Sequence, residues 1–264
     1  MDYIDTHTHL DFSDFALDRA AVLAESRRLG VGPIVILGVH QANWQRVWGL
    51  AEQDPGLYAA FGLHPVYLDH HQDTHLTELR DMFARLAAHP KCCAVGEIGL
   101  DYFVAGLDRE RQKHLFEAQL KLAADFDLPA LLHVRRAHAP TIALLKTVQL
   151  KRAGIVHAFS GSLEEALEYI RLGFKLGLGG AGTWPQARRM HRVIAQLPLD
   201  SLVLETDSPD MAPSFNPYQR NTPANLPRIC NTLAALRGES PEILARACLH
   251  NSCELFGWDP AAVC

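Results

Sequence analysis

Eight short apolar runs recur along the chain, most of them separated by longer segments in which apolar residues return at helical spacing. The runs cover Tyr3–His9, Pro33–Val39, Leu57–His64, Cys92–Gly99, Pro129–Val134, Gly154–Ala158, Phe174–Gly179 and Ser201–Asp207. Near-continuous apolar runs of strand length are what a parallel sheet covered on both faces demands. Between them, Leu17–Leu29 sets Leu17, Ala20, Ala21 and Ala24 on one helical face, and Arg109–Phe126 does the same with Leu115, Ala118, Leu122 and Phe126. Three glycines (Gly30, Gly154 and Gly173) each follow an arginine by two residues, which predicts capped helix ends leading into strands. The proline-rich stretch Pro209–Pro227 is expected to be irregular and to lie beside the ends of the strands. Glu242–Phe256 then reads as a closing helix. Repeated βα units predict an α/β chain forming one TIM-type (β/α)8 barrel over residues 1–264, a fold that occupies about 250 residues. A doubly wound open sheet is the competing architecture. It needs a glycine-rich turn after its first strand, where this chain has Thr6-His7-Thr8-His9.

Composition narrows the class. Apolar residues make up 48% of the chain, enough for a full core without disulfides. The six cysteines lack zinc-site spacing and are expected to be reduced and mostly buried. The first residues form neither a basic nor an apolar leader, and no apolar run reaches about 18 residues, so a cytoplasmic protein with no membrane span is expected. The net charge of −5 argues against a protein wrapped in duplex nucleic acid. Two bound divalent cations would add +4 and bring it to −1, which leaves room for contact with a few phosphates. No obligate protein partner is expected.

The apolar runs end in side chains that bind metals. His7 and His9 lie two apart on a strand and so share a face with Asp5, which is expected to orient one imidazole. Glu97 interrupts an apolar strand, where a carboxylate is costly unless paired or metal-bound. His133 and Arg135 share a face, and arginine's planar fork suits phosphate, whereas Arg136 reads as a surface charge. His157 and Asp207 end later strands. Glu205 and Asp101 are expected to support ligands rather than to be ligands, and Ser160 and Ser162 to cap a helix. His64 is a candidate substrate contact and His40 a weaker one. A barrel gathers all its strand ends at one face, so these residues can meet. Four histidines and two carboxylates exceed the needs of one tetrahedral ion and suit two divalent cations about 3.5–4 Å apart. On this reading His7, His9 and Asp207 hold one, His133 and His157 the other, and Glu97 bridges. Mixed ligation favours Zn, Mn, Ni or Co over Mg.

These residues sit in segments that closely resemble the TatD family of metal-dependent deoxyribonucleases, within the amidohydrolase superfamily. The matching segments are Asp5–Asp11, Gly62–Pro65, Gly96–Tyr102, His133–Arg135, His157–Gly161 and Glu205–Pro209, extended by Arg220–Pro223, Asn251 and Leu255–Gly257. The resemblance spans essentially the whole chain. It implies a distorted (β/α)8 barrel, the metal roles given above, Asp207 as the group handling the proton of the attacking water, and His64 and Arg135 as phosphate contacts. Thr222 departs from the family, whose members often carry glutamate there. Gly179–Pro185 and Pro209–Met211 look more like the family's less characterised hydrolase branch. The activity expected is phosphodiester hydrolysis at the ends of single-stranded or short DNA by metal-activated water, with Asp207 and Glu97 as the catalytic carboxylates. The alternatives are hydrolysis of a small-molecule amide, lactone or ester, or of D-aminoacyl-tRNA. A metal-holding scaffold without turnover is disfavoured by the open coordination that six ligands leave on two ions.

Overall fold

The structure, a computed structural model, describes residues 2–148 and 150–263. Its strands are β1 (Tyr3–Thr8), β2 (Val31–Gly38), β3 (Leu57–Phe61), β4 (Cys92–Asp101), β5 (Ala130–Arg135), β6 (Gly154–Val156), β7 (Lys175–Leu178) and β8 (Leu202–Leu204). They form one sheet in sequence order, each neighbouring pair parallel. The helices are α1 (Arg19–Arg28), α2 (Gln41–Gln53), α3 (Thr74–Leu86), α4 (Arg109–Asp125), α5 (His138–Thr147), α6 (Leu163–Arg171), α7 (Arg188–Ile194), α8 (Leu226–Arg237), α9 (Pro241–Phe256) and α10 (Pro260–Val263). A bridge between Thr8 and Ser208 brings the first and last strands together. There the His9 N–H donates to the Ser208 carbonyl at 2.7 Å and the Asp207 N–H to the His7 carbonyl at 2.9 Å. The result is a nearly closed (β/α)8 barrel, as the repeating pattern predicts.

Two apolar layers hold it. The barrel interior is filled by Val35, Leu37, Ala60, Leu131, Ile155 and Val203, with Leu255 and Phe256 from the end of α9. Phe256 stacks on Trp258, which leans on Tyr58 at the start of β3, so α9 plugs the bottom of the barrel. Ile34, Ile36, Phe61, Phe83 and Phe116 belong to the larger layer between strands and helices. Strand alternation carries the inner set up to the mouth. In β5, Leu131 is interior while Ala130, Leu132 and Val134 face the helices, so His133 and Arg135 continue the inward row. The same parity runs from Ile155 to His157 and from Val203 to Glu205 and Asp207.

β4 breaks the rule. Its register slips against both neighbours, and Cys93 and the adjacent Ala94 are both interior. The Gly96–Glu97 peptide bond in this stretch is cis.

Several boundaries differ from the sequence pattern. β3 stops at Phe61, so His64 lies in the following turn, and β8 stops at Leu204, so Asp207 lies beyond its strand. β2 begins at Val31 with Pro33 inside it. The β1–β2 register slips between Tyr3 and Asp5, where proline has no N–H to offer. Gly30 and Gly173 adopt positive φ as expected of caps, but at the middle site Ala153 takes that conformation (φ 47°). Gly154 instead opens β6, where a Cβ would strike the Ala130 backbone.

Within Pro209–Pro227 the chain forms no α-helix until α8 begins at Leu226. Cys92, Cys93, Cys230, Cys248 and Cys253 are buried, and Cys264 lies outside the described residues. Among the described residues no helix is long and apolar enough to cross a membrane.

Candidate metal centre

Glu97 stands at the middle of the mouth, 2% exposed, with imidazoles around both carboxylate oxygens. Its Oε2 lies 3.3 Å from His7 Nε2 and 3.4 Å from His9 Nε2. Asp207 Oδ1 is 3.7 and 3.6 Å from the same two nitrogens. The other oxygen, Oε1, lies 3.1 Å from His133 Nδ1, 3.2 Å from His64 Nε2 and 3.3 Å from His157 Nε2. One carboxylate thus joins two donor sets. The six residues singled out as ligands all converge here, and His64 joins the second set.

The second nitrogen of each ring shows which lone pair is free. His9 Nδ1 lies 3.2 Å from the Leu37 carbonyl, so in the neutral ring it carries the proton and leaves the Nε2 lone pair facing the centre. His133 Nε2 lies 2.8 Å from Asp101 Oδ2, so its proton sits there and Nδ1 faces Glu97. His157 Nδ1 faces Glu205 Oε1 at 3.4 Å. His64 is the opposite case. Its Nδ1 accepts the Val66 N–H at 3.1 Å, so a neutral His64 presents a donor, Nε2–H, to the centre.

A nitrogen lone pair aimed at a carboxylate oxygen is repulsive unless a proton or a cation lies between. Two ligand atoms each about 2.1 Å from one ion and roughly 100° apart lie about 3.2 Å from each other. The 3.1–3.4 Å separations around Glu97 fit that requirement. The donor set therefore fits divalent cations.

Without them, protons do the work. Burial pulls His7 and His64 down to about 4. Burial also opposes charge on His9 and His157, but Glu97 outweighs it and raises them to about 9 and about 10. Burial disfavours the Glu97 anion too, yet the surrounding imidazoles hold its carboxyl well below the usual range. Burial lifts Asp207 to about 6 against the pull of His157 and His9.

A supporting layer lies behind. Asp101 uses Oδ1 to accept the Phe103 and Val104 N–H groups at 2.8 and 2.9 Å while Oδ2 holds His133. Glu205 accepts the Ala158 N–H at 2.5 Å, and its carboxylate occupies space that a Cβ on Gly177 would invade. Asp5 differs from expectation. It accepts N–H groups of His7 and Thr206 (3.3 and 3.0 Å) and the Thr206 hydroxyl (2.6 Å), so it ties β1 to the segment after β8, and among the described residues no imidazole is bonded to it. Ser162 caps α6, accepting the Glu165 N–H.

A cavity of about 500 Å³ opens above the centre. His9, His64, Glu97, His133, Arg135, His157 and Asp207 line it together with two apolar walls. One wall is Phe12, Val39, Val66 and Tyr67; the other is Ala158, Ala181, Met190 and Met211. His40 does not line the cavity; its ring meets Tyr67 and His70. Sequence reasoning missed Phe12, Tyr67 and Met190, whose types carry no chemical signal. Met211 and Ala181 fall in the two segments that resemble the hydrolase branch.

A model of TatD-related DNases matches residues 4–257. The chain is 45% identical over 254 residues to YjjV of Escherichia coli (strain K12), named an uncharacterized metal-dependent hydrolase, covering 96% of this chain and 97% of that one. It is 36% identical over 262 residues to the 3'-5' ssDNA/RNA exonuclease TatD of Pantoea vagans (strain C9-1), covering 96% and 98%. The crystal structure of the E. coli K12 TatD homolog YjjV superimposes with a TM-score of 0.94 at 44% identity over 97% of this chain and 98% of that one. With the mouth of the barrel built around a shared, buried carboxylate, this chain belongs to the TatD family and is a metal-dependent hydrolase.

Proposed function

We propose that the chain hydrolyses phosphodiester bonds at the ends of single-stranded or short DNA. The observation that carries this reading is Glu97, whose two oxygens face separate imidazole sets beside an arginine in one cavity. His7, His9 and Asp207 would hold one divalent cation, His133 and His157 another, with Glu97 shared. Cations there would acidify an attacking water and neutralise charge on the phosphoryl oxygens.

The chain's own groups supply the rest. Asp207 accepts the water proton as the new P–O bond forms, then returns it to the departing oxygen as the old P–O bond breaks. His64 donates Nε2–H to a phosphoryl oxygen, a role its Val66 bond leaves open to it. Arg135 pairs with the phosphate at the rim. The Pantoea relative, named as an ssDNA/RNA exonuclease, supports a nucleic-acid substrate.

The test is to strip metal with a chelator, restore Zn, Mn, Co, Ni or Mg singly, and assay a panel. The panel holds end-labelled single-stranded DNA, RNA, a chromogenic phosphodiester, a D-aminoacyl-tRNA and simple amides. Metal-restored release of nucleotides from DNA ends is expected. Cleavage of the aminoacyl ester or an amide with DNA left intact would overturn the proposal.

A further inference from the structure

We infer a second anion subsite on the rim, in which Arg136, gathered beside Arg135 on the ring of Phe103, binds the phosphate next to the one being cleaved. The inference rests on the phosphodiesterase reading above.

Phe103 is 45% exposed, so its ring is open to side chains at the rim. The Arg135 guanidinium lies 3.7 Å from its ring centre and that of Arg136 lies 4.7 Å from the same centre. Two like charges are thus held together on one aromatic surface. Attraction of a guanidinium to a ring offsets part of that repulsion, and the remainder is relieved by an anion.

Some arginines here meet carboxylates, as Arg27 does Asp54 and Arg220 does Asp18, and others meet backbone carbonyls, as Arg19 does that of Leu10 and Arg152 that of Leu255. Among the described residues Arg135 and Arg136 are exposed and have neither an ion pair nor a hydrogen-bonded carbonyl, so both guanidinium groups are open to an anion. Stacking leaves the N–H edges of each guanidinium free to fork onto phosphate oxygens.

The backbone is built to present the pair. Arg136 sits at φ 54°, a conformation that non-glycine residues avoid and that recurs where function constrains the chain. The Tyr102 N–H donates to the Arg135 carbonyl at 2.8 Å, locking β4 to β5 at this point. Asp101 fixes the turn that carries Phe103 with the same carboxylate that holds His133. Arg135 lines the cavity and its neighbour Arg136 stands outside it, so the pair leads from the cavity to the surface. A substrate with a single phosphate cannot use both positions, whereas a polynucleotide can.

The experiment is a cycle of protein and substrate changes on the metal-loaded enzyme. Two end-labelled DNA oligomers are compared, one natural and one with a neutral methylphosphonate at the linkage next to the scissile one, made for each end. Wild type is expected to prefer the charged oligomer by about tenfold in kcat/KM, the size of one hydrogen bond to a charged group. Arg136→Ala is expected to reduce that preference below about twofold, and to lower the salt slope by about 0.7, as for one single-strand phosphate contact. Phe103→Ala is expected to weaken the preference and Phe103→Tyr to restore it; Arg136, being exposed, keeps the test decisive if Phe103→Ala does not fold. Equal preference in wild type and Arg136→Ala, or none in wild type, overturns the subsite while leaving the nuclease reading intact. Hydrolysis of a chromogenic ester with no DNA cleavage at all overturns both.

Discussion

Asp101→Asn tests whether a residue outside the donor set decides which nitrogen of His133 carries the proton, and so whether a lone pair faces the centre. The replacement is isosteric, and its amide oxygen can still accept the Phe103 and Val104 N–H groups, now at 2.8 and 2.9 Å, so the turn survives. What changes is the other edge. The carboxylate oxygen 2.8 Å from His133 Nε2 becomes an NH2 group, a donor facing a donor. The neutral imidazole relieves this by moving its proton to Nδ1, which lies 3.1 Å from Glu97 Oε1. The lone pair that faced the centre is then lost. Removing a partner of this kind typically costs 10–100-fold in metal affinity, or about 1.4–2.7 kcal/mol. Competition with a chromogenic chelator, run beside wild type, reads this directly. One equivalent is expected to weaken by about 10–100-fold while the equivalent proposed for His7, His9 and Asp207 stays near wild type. Wild-type affinity for both equivalents, with an unchanged melting temperature, would refute the idea that Asp101 sets the His133 tautomer.

Other outcomes follow from the same geometry. Glu97→Ala and Asp207→Ala are expected to abolish turnover with far-UV circular dichroism unchanged; near-wild-type rates in either would defeat the assignment. Metal uptake by the stripped protein at pH 7 is expected to release up to about two protons per chain. His9 and His157, raised to about 9 and about 10, are protonated there and must lose those protons to bind. Affinity therefore falls as pH drops, which calorimetry in two buffers of different ionisation enthalpy measures; no buffer dependence would contradict it. Gly177→Ala pushes a methyl group into the Glu205 carboxylate and is expected to cost about 1–3 kcal/mol, like other overpacked cores, and to lower metal content. Thermal unfolding and elemental analysis check both.

Much of this protein can be read along the chain because the information is local. Strand alternation has a period of two, so once Leu131 faces inward His133 follows within β5, and His157, Glu205 and Asp207 keep the same parity just past the ends of β6 and β8. That rule, together with the gathering of strand ends by a barrel, is why the convergence of the candidate ligands on one rim could be expected without coordinates. Where the chain departs from regular alternation the reading weakens. The slipped register of β4 means that the direction of Glu97 does not follow from its position. Gly154 resembles a helix cap, yet its lack of a side chain serves the close approach of β5 and β6. Asp5 shares parity with His7 but is captured by Thr206, 201 residues away.

Sequence by itself determined the architecture and the kind of chemistry, since both rest on residue type and periodicity. Tertiary structure alone decided the partners. Which histidine nitrogen carries the proton depends on Leu37, Asp101 and Val66, which reach the rings from separate turns and strands. The apolar walls of the cavity, and the pairing of Arg135 with Arg136 over Phe103, depend on loop conformations that no period encodes. Donor direction and ring stacking are fixed over a few ångströms in space, and such distances exist only once the barrel has closed.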